Sequence, residues 1–174
     1  MHPVEVKTAL ESMVILVDTR EQDTPRLRAR LRQMGVPYER CKLNFGDYSV
    51  KCDALSLADT VVIERKMSID ELCNCYCKDR ARFEREFGRA KNAGAKIYLL
   101  IEDATWEAVY GGKYRSKMKP ESLVASILAW LARYNCQIFY CKSETSGLLI
   151  RDTLKRELKE RLEATSFDCI GGEA

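Results

Sequence analysis

The sequence predicts a three-layer α/β domain, a central mixed sheet flanked by helices. Three observations carry that expectation. Met13–Val17, Val61–Ile63 and Ile97–Ile101 are unbroken apolar runs of strand length, the pattern of central strands covered on both faces. Each run ends in charge, at Asp18, Glu64 or Glu102-Asp103, so polar groups gather at strand mouths. Between the runs lie stretches with helical apolar stripes. The 174 residues, 46% apolar and 32% charged, amount to one domain with a substantial core. Its bounds are set at 13–163, with 1–12 as an N-terminal extension and 164–174 as a flexible tail.

Residues 1–12 carry no strong pattern and read as a loose extension or a short helix. After the first strand, Thr24-Pro25 opens a helix to Met34 with Leu27, Leu31 and Met34 on one stripe and Gly35 as its stop. Val36–Phe45 partly alternates and reads as a strand running to Gly46. Asp47-Tyr48-Ser49-Val50 begins its hairpin partner, 51–59 turns, and Thr60–Glu64 is the next strand. The sixteen residues between Asp47 and Glu64 can bring the chain back to the same end of the sheet, so the two carboxylates can meet. Ser68 opens a helical stretch, continued from Arg80 to Asn92 with Phe83, Phe87 and Ala90 buried. The Ile97–Ile101 strand ends at Glu102 and Asp103, which could support a metal site. Glu121–Tyr134 is a helix, Gln137–Tyr140 a strand, and a last helix starts after Ser146-Gly147 with Leu148, Leu149, Leu154, Leu158 and Leu162 as its stripe.

Glu64 and Lys66 share one face of their strand and Arg65 takes the other. Two carboxylates and a lysine at a strand end suit metal-assisted phosphodiester hydrolysis. The acids hold a hard cation through oxygen, and the ammonium steadies an attacking hydroxide or phosphate charge. Asp18 reads either as a cap for the following helix or as a site residue, and Asp70 as a cap or an active-site support. Arg82 faces neither core position, leaving phosphate contact or plain solvation.

Gly46-Asp47, then Glu64-Arg65-Lys66, three residues and Asp70 resemble the GD…ERKxxxD signature of the XPF-family nuclease domain. Val17-Asp18-Thr19-Arg20-Glu21 is similar to that family's VDxRE motif. The likeness covers about residues 13–160. It implies a restriction-endonuclease-like fold of the PD-(D/E)xK superfamily and a Mg²⁺- or Mn²⁺-dependent DNA endonuclease acting in repair, recombination or phage DNA processing. It assigns Asp18, Asp47, Glu64, Arg65, Lys66 and Asp70 to catalysis, with Asp18, Asp47 and Glu64 as metal ligands and the Arg65 carbonyl as a further one. Arg20 and Arg65 would hold the carboxylates in place or touch phosphate. Many family members append tandem helix–hairpin–helix modules, which nothing after Glu163 could form, so a preference for branched, flap or nicked DNA is left open. The stand-alone form resembles prokaryotic or phage-borne versions. The alternative is a silent DNA-binding or scaffold subunit; such members lose motif residues, whereas Asp47, Glu64, Lys66 and Asp70 are all present here.

Net charge is +3, from 29 basic and 26 acidic residues, so a DNA surface must come from local clustering. The densest cluster is Lys113, Arg115, Lys117 and Lys119, interleaved with Tyr114 after two glycines; it suits a phosphate backbone, with an ordinary solvated loop as the rival. No apolar run reaches the roughly 18 residues of a membrane span, and the start lacks signal-peptide regions, so a cytosolic location is expected. The eight cysteines are then reduced thiols. In a helix Cys73 and Cys77 share a face that Cys75 leaves, and the only histidine is His2, so no structural zinc is expected. The surplus of apolar residues around the 121–134 helix, Trp130 and Tyr134 among them, points to a homodimer or partner subunit. The bland alternative is that the last helix covers that second face.

Overall fold

A computed structural model describes residues 2–165. Along the chain it runs α1 Pro3–Glu11, β1 Val14–Asp18, α2 Pro25–Met34, β2 Tyr38–Cys41, β3 Tyr48–Lys51, β4 Val61–Lys66, α3 Ile69–Cys77 and α4 Arg80–Asn92. There follow β5 Lys96–Glu102, α5 Trp106–Tyr110, α6 Pro120–Arg133, β6 Cys136–Cys141 and α7 Ser143–Ala164. The expected flexible tail, 164–174, lies almost wholly outside the described residues. Residues 2–12 are mostly helix, with Val6 and Ala9 buried in the core. Among the described residues no helix is long and apolar enough to cross a membrane.

The sheet order is β2-β1-β3-β4-β5-β6. β3 is antiparallel to both β1 and β4, and every other neighbouring pair is parallel. Five strands therefore share one direction and β3 alone opposes them. The carboxyl ends of β1, β4 and β5 and the amino end of β3 fall on the same sheet edge. That single reversal is what brings Asp47 to Glu64. The backbone seals it: Asp18 N–H donates to Asp47 O at 2.9 Å, and Asp47 N–H to Ile63 O at 2.8 Å.

Two cores sit on opposite faces of the sheet. α3, α4, α5 and α6 cover one, with Val62, Leu99 and Ile101 from the strands. α1, α2 and α7 cover the other, with Ile15, Val17, Ile63 and Leu100. Because side chains alternate along a strand, Glu64 and Lys66 turn toward α3 and α4, and Arg65 toward α2 and α7.

Three expectations need correction. The 36–45 strand and its hairpin with 47–50 do not form, because β1 lies between β2 and β3. β2 is a short, mostly exposed edge, while Leu43 and Phe45 leave the strand and turn into the core. Gly46, at φ +71, lets that turn press on β4, where a Cβ would stand 2.7 Å from Val62 Cβ. Leu148 is not on the buried stripe of α7: it is 39% exposed, and Ser146, Gly147, Ile150, Leu154, Leu158 and Leu162 are buried instead. Gly147 permits the close crossing with α2, since a Cβ there would lie 2.5 Å from the Arg30 carbonyl oxygen. Finally, the last helix does not cover the second face of α6, whose aromatic residues are buried within the chain while Leu128 stays 48% exposed. Trp130 stacks on Phe83 with ring centroids 5.4 Å apart and meets Tyr76 at 4.9 Å, and Tyr134 meets Phe87 at 5.3 Å. α4 and α3 provide that cover, and α7 lies on the opposite face.

Candidate active site

Asp18 ends β1 fully buried. Its Oδ1 accepts from Arg20 N–H and Arg20 Nε, both at 2.7 Å. Its Oδ2 accepts from Leu43 N–H at 2.7 Å and from the Arg20 guanidinium at 3.2 Å. Burial alone would raise its pKa; the Arg20 side chain and the Arg20 and Leu43 amides outweigh it and hold the carboxyl below its ordinary value. Asp18 does not cap α2, which Thr24 does through Leu27 N–H at 3.1 Å. Its oxygens are spent on Arg20 and on tying Leu43, just before Gly46, to the end of β1.

Asp47 presents a different electrostatic state. Its Oδ2 accepts the Arg65 N–H at 2.7 Å, while burial and the Glu64 carboxylate push its pKa well above the usual carboxylate range. Glu64 is 4% exposed and takes a hydrogen bond from the Lys66 ammonium. Burial opposes the charge on Lys66, but Glu64 and Asp47 keep it protonated far past the ordinary lysine value. The ammonium also lies 5.4 Å from the centre of the Phe83 ring. A fourth charged group, not foreseen from the sequence, arrives from α4: Glu86 Oε1 accepts Gly46 N–H at 3.1 Å and stands 3.6 Å from Arg20. Burial and the nearby Glu64 raise its pKa. The signal was present, since Glu86 stands three residues after the buried Phe83, an acid beside the apolar stripe of an amphipathic helix.

Arg65, on the opposite face, enters a closed ion network. Glu102 is 3.2 Å from Arg65 and 3.0 Å from Arg30. Glu21 lies 3.7 Å from each arginine. Tyr48 accepts from Arg30 at 2.9 Å and donates to Glu21 at 3.0 Å. Glu102 is thus committed to two arginines behind the sheet and not to the Asp47–Glu64 side. Asp103, at φ +51, accepts the Ser143 N–H at 3.2 Å at the start of α7.

Asp70 is neither the cap of α3 nor within this cluster. Ser68 caps the helix through Glu71 N–H at 3.2 Å, while Asp70 binds the backbone of Arg115 and Ser116. Lys113, Arg115, Lys117 and Lys119 are all exposed. Arg82, also exposed, lines a groove of about 530 Å³ with Arg20, Arg26, Arg65, Glu21 and Glu71. The seven cysteines of the described residues are free thiols, and burial pushes Cys75 up to about 11; Cys169 lies outside the described residues.

Among the described residues no three carboxylate, thiol or imidazole groups close into a cage for a metal. What the edge offers is a pair of carboxylates with a third nearby, and the Glu64 carboxylate disfavours charge on both Asp47 and Glu86. That donor set fits Mg²⁺ or Mn²⁺, which are bound through one or two carboxylates and complete their shell with water and substrate phosphate.

The ERCC4 domain family model matches residues 17–150. No curated protein sequence matches the chain. Among solved structures, XPF from Aeropyrum pernix is similar at 21% identity and TM-score 0.60, over 83% of this chain and 61% of that one. The same archaeal XPF in complex with DNA is similar at 21% identity and TM-score 0.60, over 85% of this chain and 66% of that one. The chain thus spans just under two thirds of each, and it shares their three-layer fold.

Proposed function

The chain belongs to the ERCC4-domain family, and from its site we propose that it is a divalent-metal-dependent DNA endonuclease acting on branched, flap or nicked DNA. The observation that carries this reading is the edge where Asp47, Glu64 and Glu86 meet and the Lys66 ammonium bonds Glu64. Asp47 and Glu64 hold Mg²⁺ or Mn²⁺, with the Arg65 carbonyl as a neutral oxygen. The chemistry such an ion supplies is an acidified water and neutralisation of charge on the scissile phosphate. Asp18, whose oxygens are occupied by Arg20 and Leu43, shapes the turn that presents Gly46 and Asp47. Glu86 stands as the third carboxylate in its place.

Lys66 acts by charge. An ammonium held this firmly protonated is no general base; it steadies the attacking oxygen or the charge gathering on the phosphate. Arg20, Arg26 and Arg82 line the groove beside the site and take the backbone of one strand, while the 113–119 loop takes further phosphates. The DNA complex of the similar archaeal XPF supports DNA as the ligand class. A homodimer or partner subunit belongs to the same proposal: the aromatic residues of α6 are buried within the chain, and its exposed Leu128 is the apolar residue a partner would cover.

The test is a nicking assay in Mn²⁺ on duplex, flap, fork, nicked and single-stranded DNA. Cleavage lost in EDTA and in Glu64→Ala, with preference for a branched or nicked substrate, is the expected result. Cleavage that survives either change contradicts the reading. A Glu64→Ala chain as inert as an inert wild type, both still binding DNA, favours the silent subunit.

A further inference from the structure

We propose that Asp70 is a positioning residue for DNA: it fastens the basic loop to the segment that carries Glu64 and Lys66, and so fixes where the loop's cations meet the phosphate backbone. This rests on the nuclease reading above. Asp70 lies four residues past Lys66, in the first turn of α3. Its Oδ1 accepts two backbone N–H groups, from Arg115 and Ser116, each at 2.8 Å. Its Oδ2 stands 3.4 Å from Arg115 Nε. α3 does not need this carboxylate as a cap, because Ser68 already fills that place.

The loop has an inner and an outer side. Exposure alternates residue by residue: Lys113, Arg115, Lys117 and Lys119 face solvent, and Tyr114, Ser116 and Met118 are half-buried. The inner side ties the loop to itself, since Tyr114 donates to Met118 O at 2.9 Å and Met118 N–H to Ser116 Oγ at 3.3 Å. Asp70 ties this preformed unit to the catalytic strand's own continuation, across 45 residues of sequence. The Arg115 side chain is 92% exposed, so its charge remains available to phosphate while its amide is held.

Charge alone argues against an acid here. A carboxylate beside four exposed cations weakens attraction for DNA, so its deletion should tighten binding if Asp70 had no geometric role. The positioning role demands the opposite sign. Loop residues released from the clamp must be ordered again on each binding event, which costs affinity.

The experiment measures DNA affinity in EDTA by fluorescence anisotropy on a nicked duplex, for wild type, Asp70→Ala, Asp70→Asn, a variant with the four loop cations changed to glutamine, and that variant with Asp70→Ala added. We expect Asp70→Ala to weaken binding about 3- to 10-fold and to flatten the slope of log K against log salt by about 1–2. Asp70→Asn stays within about twofold of wild type, because an amide oxygen can accept both N–H groups. On the cation-free loop Asp70→Ala adds nothing, the signature of two changes acting through one element. With Mn²⁺ and saturating DNA, kcat stays near wild type in Asp70→Ala and KM rises. Trypsin, without DNA, cuts within 113–119 several-fold faster in Asp70→Ala.

Equal or tighter binding by Asp70→Ala, or an unchanged trypsin rate, overturns the proposal. A collapse of kcat at unchanged affinity, or an Asp70→Asn protein as impaired as Asp70→Ala, assigns Asp70 to the chemistry instead. A wild-type chain that binds no DNA overturns the nuclease reading and this one together. A wild type that binds beside an unaffected Asp70→Ala overturns this one alone.

Discussion

The two faces of β4 at its carboxyl end carry similar charged groups in opposite states. Behind the sheet, two arginines and two glutamates, with the Tyr48 hydroxyl between them, balance one another's charge. In front, three carboxylates share the Lys66 ammonium and one edge of Arg20. Burial raises Asp47 and Glu86 there, and Glu64 raises them further. Successive residues Glu64, Arg65 and Lys66 are dealt alternately to the two faces. The balanced face is architecture; the strained one is missing a positive charge. A polar cluster that leaves its charges uncompensated, beside one that compensates them fully, marks where a ligand belongs.

The largest expected effects break the front face. Glu64→Ala, Asp47→Ala and Lys66→Ala should each cut turnover per folded molecule by about 10³ or more, roughly 4 kcal/mol of barrier; Lys66→Ala, which leaves Glu64 buried without its ion pair, should also lose stability. Lys66→Arg should also fail, since a planar guanidinium does not replace a compact ammonium. Single-turnover rates with circular dichroism on the same samples check both halves. Next, Arg30→Ala breaks the rear face. Glu102 is left buried with half its compensation, so the fold should lose about 3–5 kcal/mol, read as a fall in the urea midpoint. Turnover per folded molecule should change less than in any front-face variant.

A smaller effect has the opposite sign. A carboxyl raised by folding favours the native state only while protonated, fully below its unfolded pKa of roughly 4, and that favour is lost as pH rises through the higher folded value. Metal-free Asp47→Asn should therefore be more stable than wild type near pH 8, by about 1 kcal/mol or roughly 2–4 °C. The gap should close as pH falls toward 4. Its side-chain oxygen can still accept the Arg65 N–H, so nothing offsets the gain. Wild-type cleavage should rise with pH over the range in which Asp47 and Glu86 lose their protons, as a proton competes with a metal for the same oxygens. A pH-independent rate would uncouple the strained face from the chemistry.

Much of this was legible in the residues, for physical reasons. Central strands buried on both sides must be apolar throughout, so β1, β4 and β5 stood out as runs. Alternation within β4 separates Arg65 from Glu64 and Lys66 in the sequence itself. The path of 36–50 was not legible, because β2 is a short exposed edge whose sequence does not reveal that β1 would intervene. Glu86 and the pairing of Arg30 with Glu102, 72 residues apart, arise only from packing of helices on the sheet. Apolar surplus in α6 could not tell which surface would cover it: α3 and α4 bury Trp130 and Tyr134, and Leu128 stays exposed. Asp70 kept its place in a motif while its carboxylate reached a loop that no local pattern connects to it.

The most direct test of the strained face is calorimetric titration of the metal-free protein with Mn²⁺ at two pH values, in buffers of different ionisation enthalpy. The front face should bind the ion with net proton release, more tightly at the higher pH, and Asp47→Ala and Glu64→Ala should each abolish that binding while Glu102→Gln retains it. Binding without proton release, or binding that persists in Glu64→Ala, would contradict the assignment of this face to a metal.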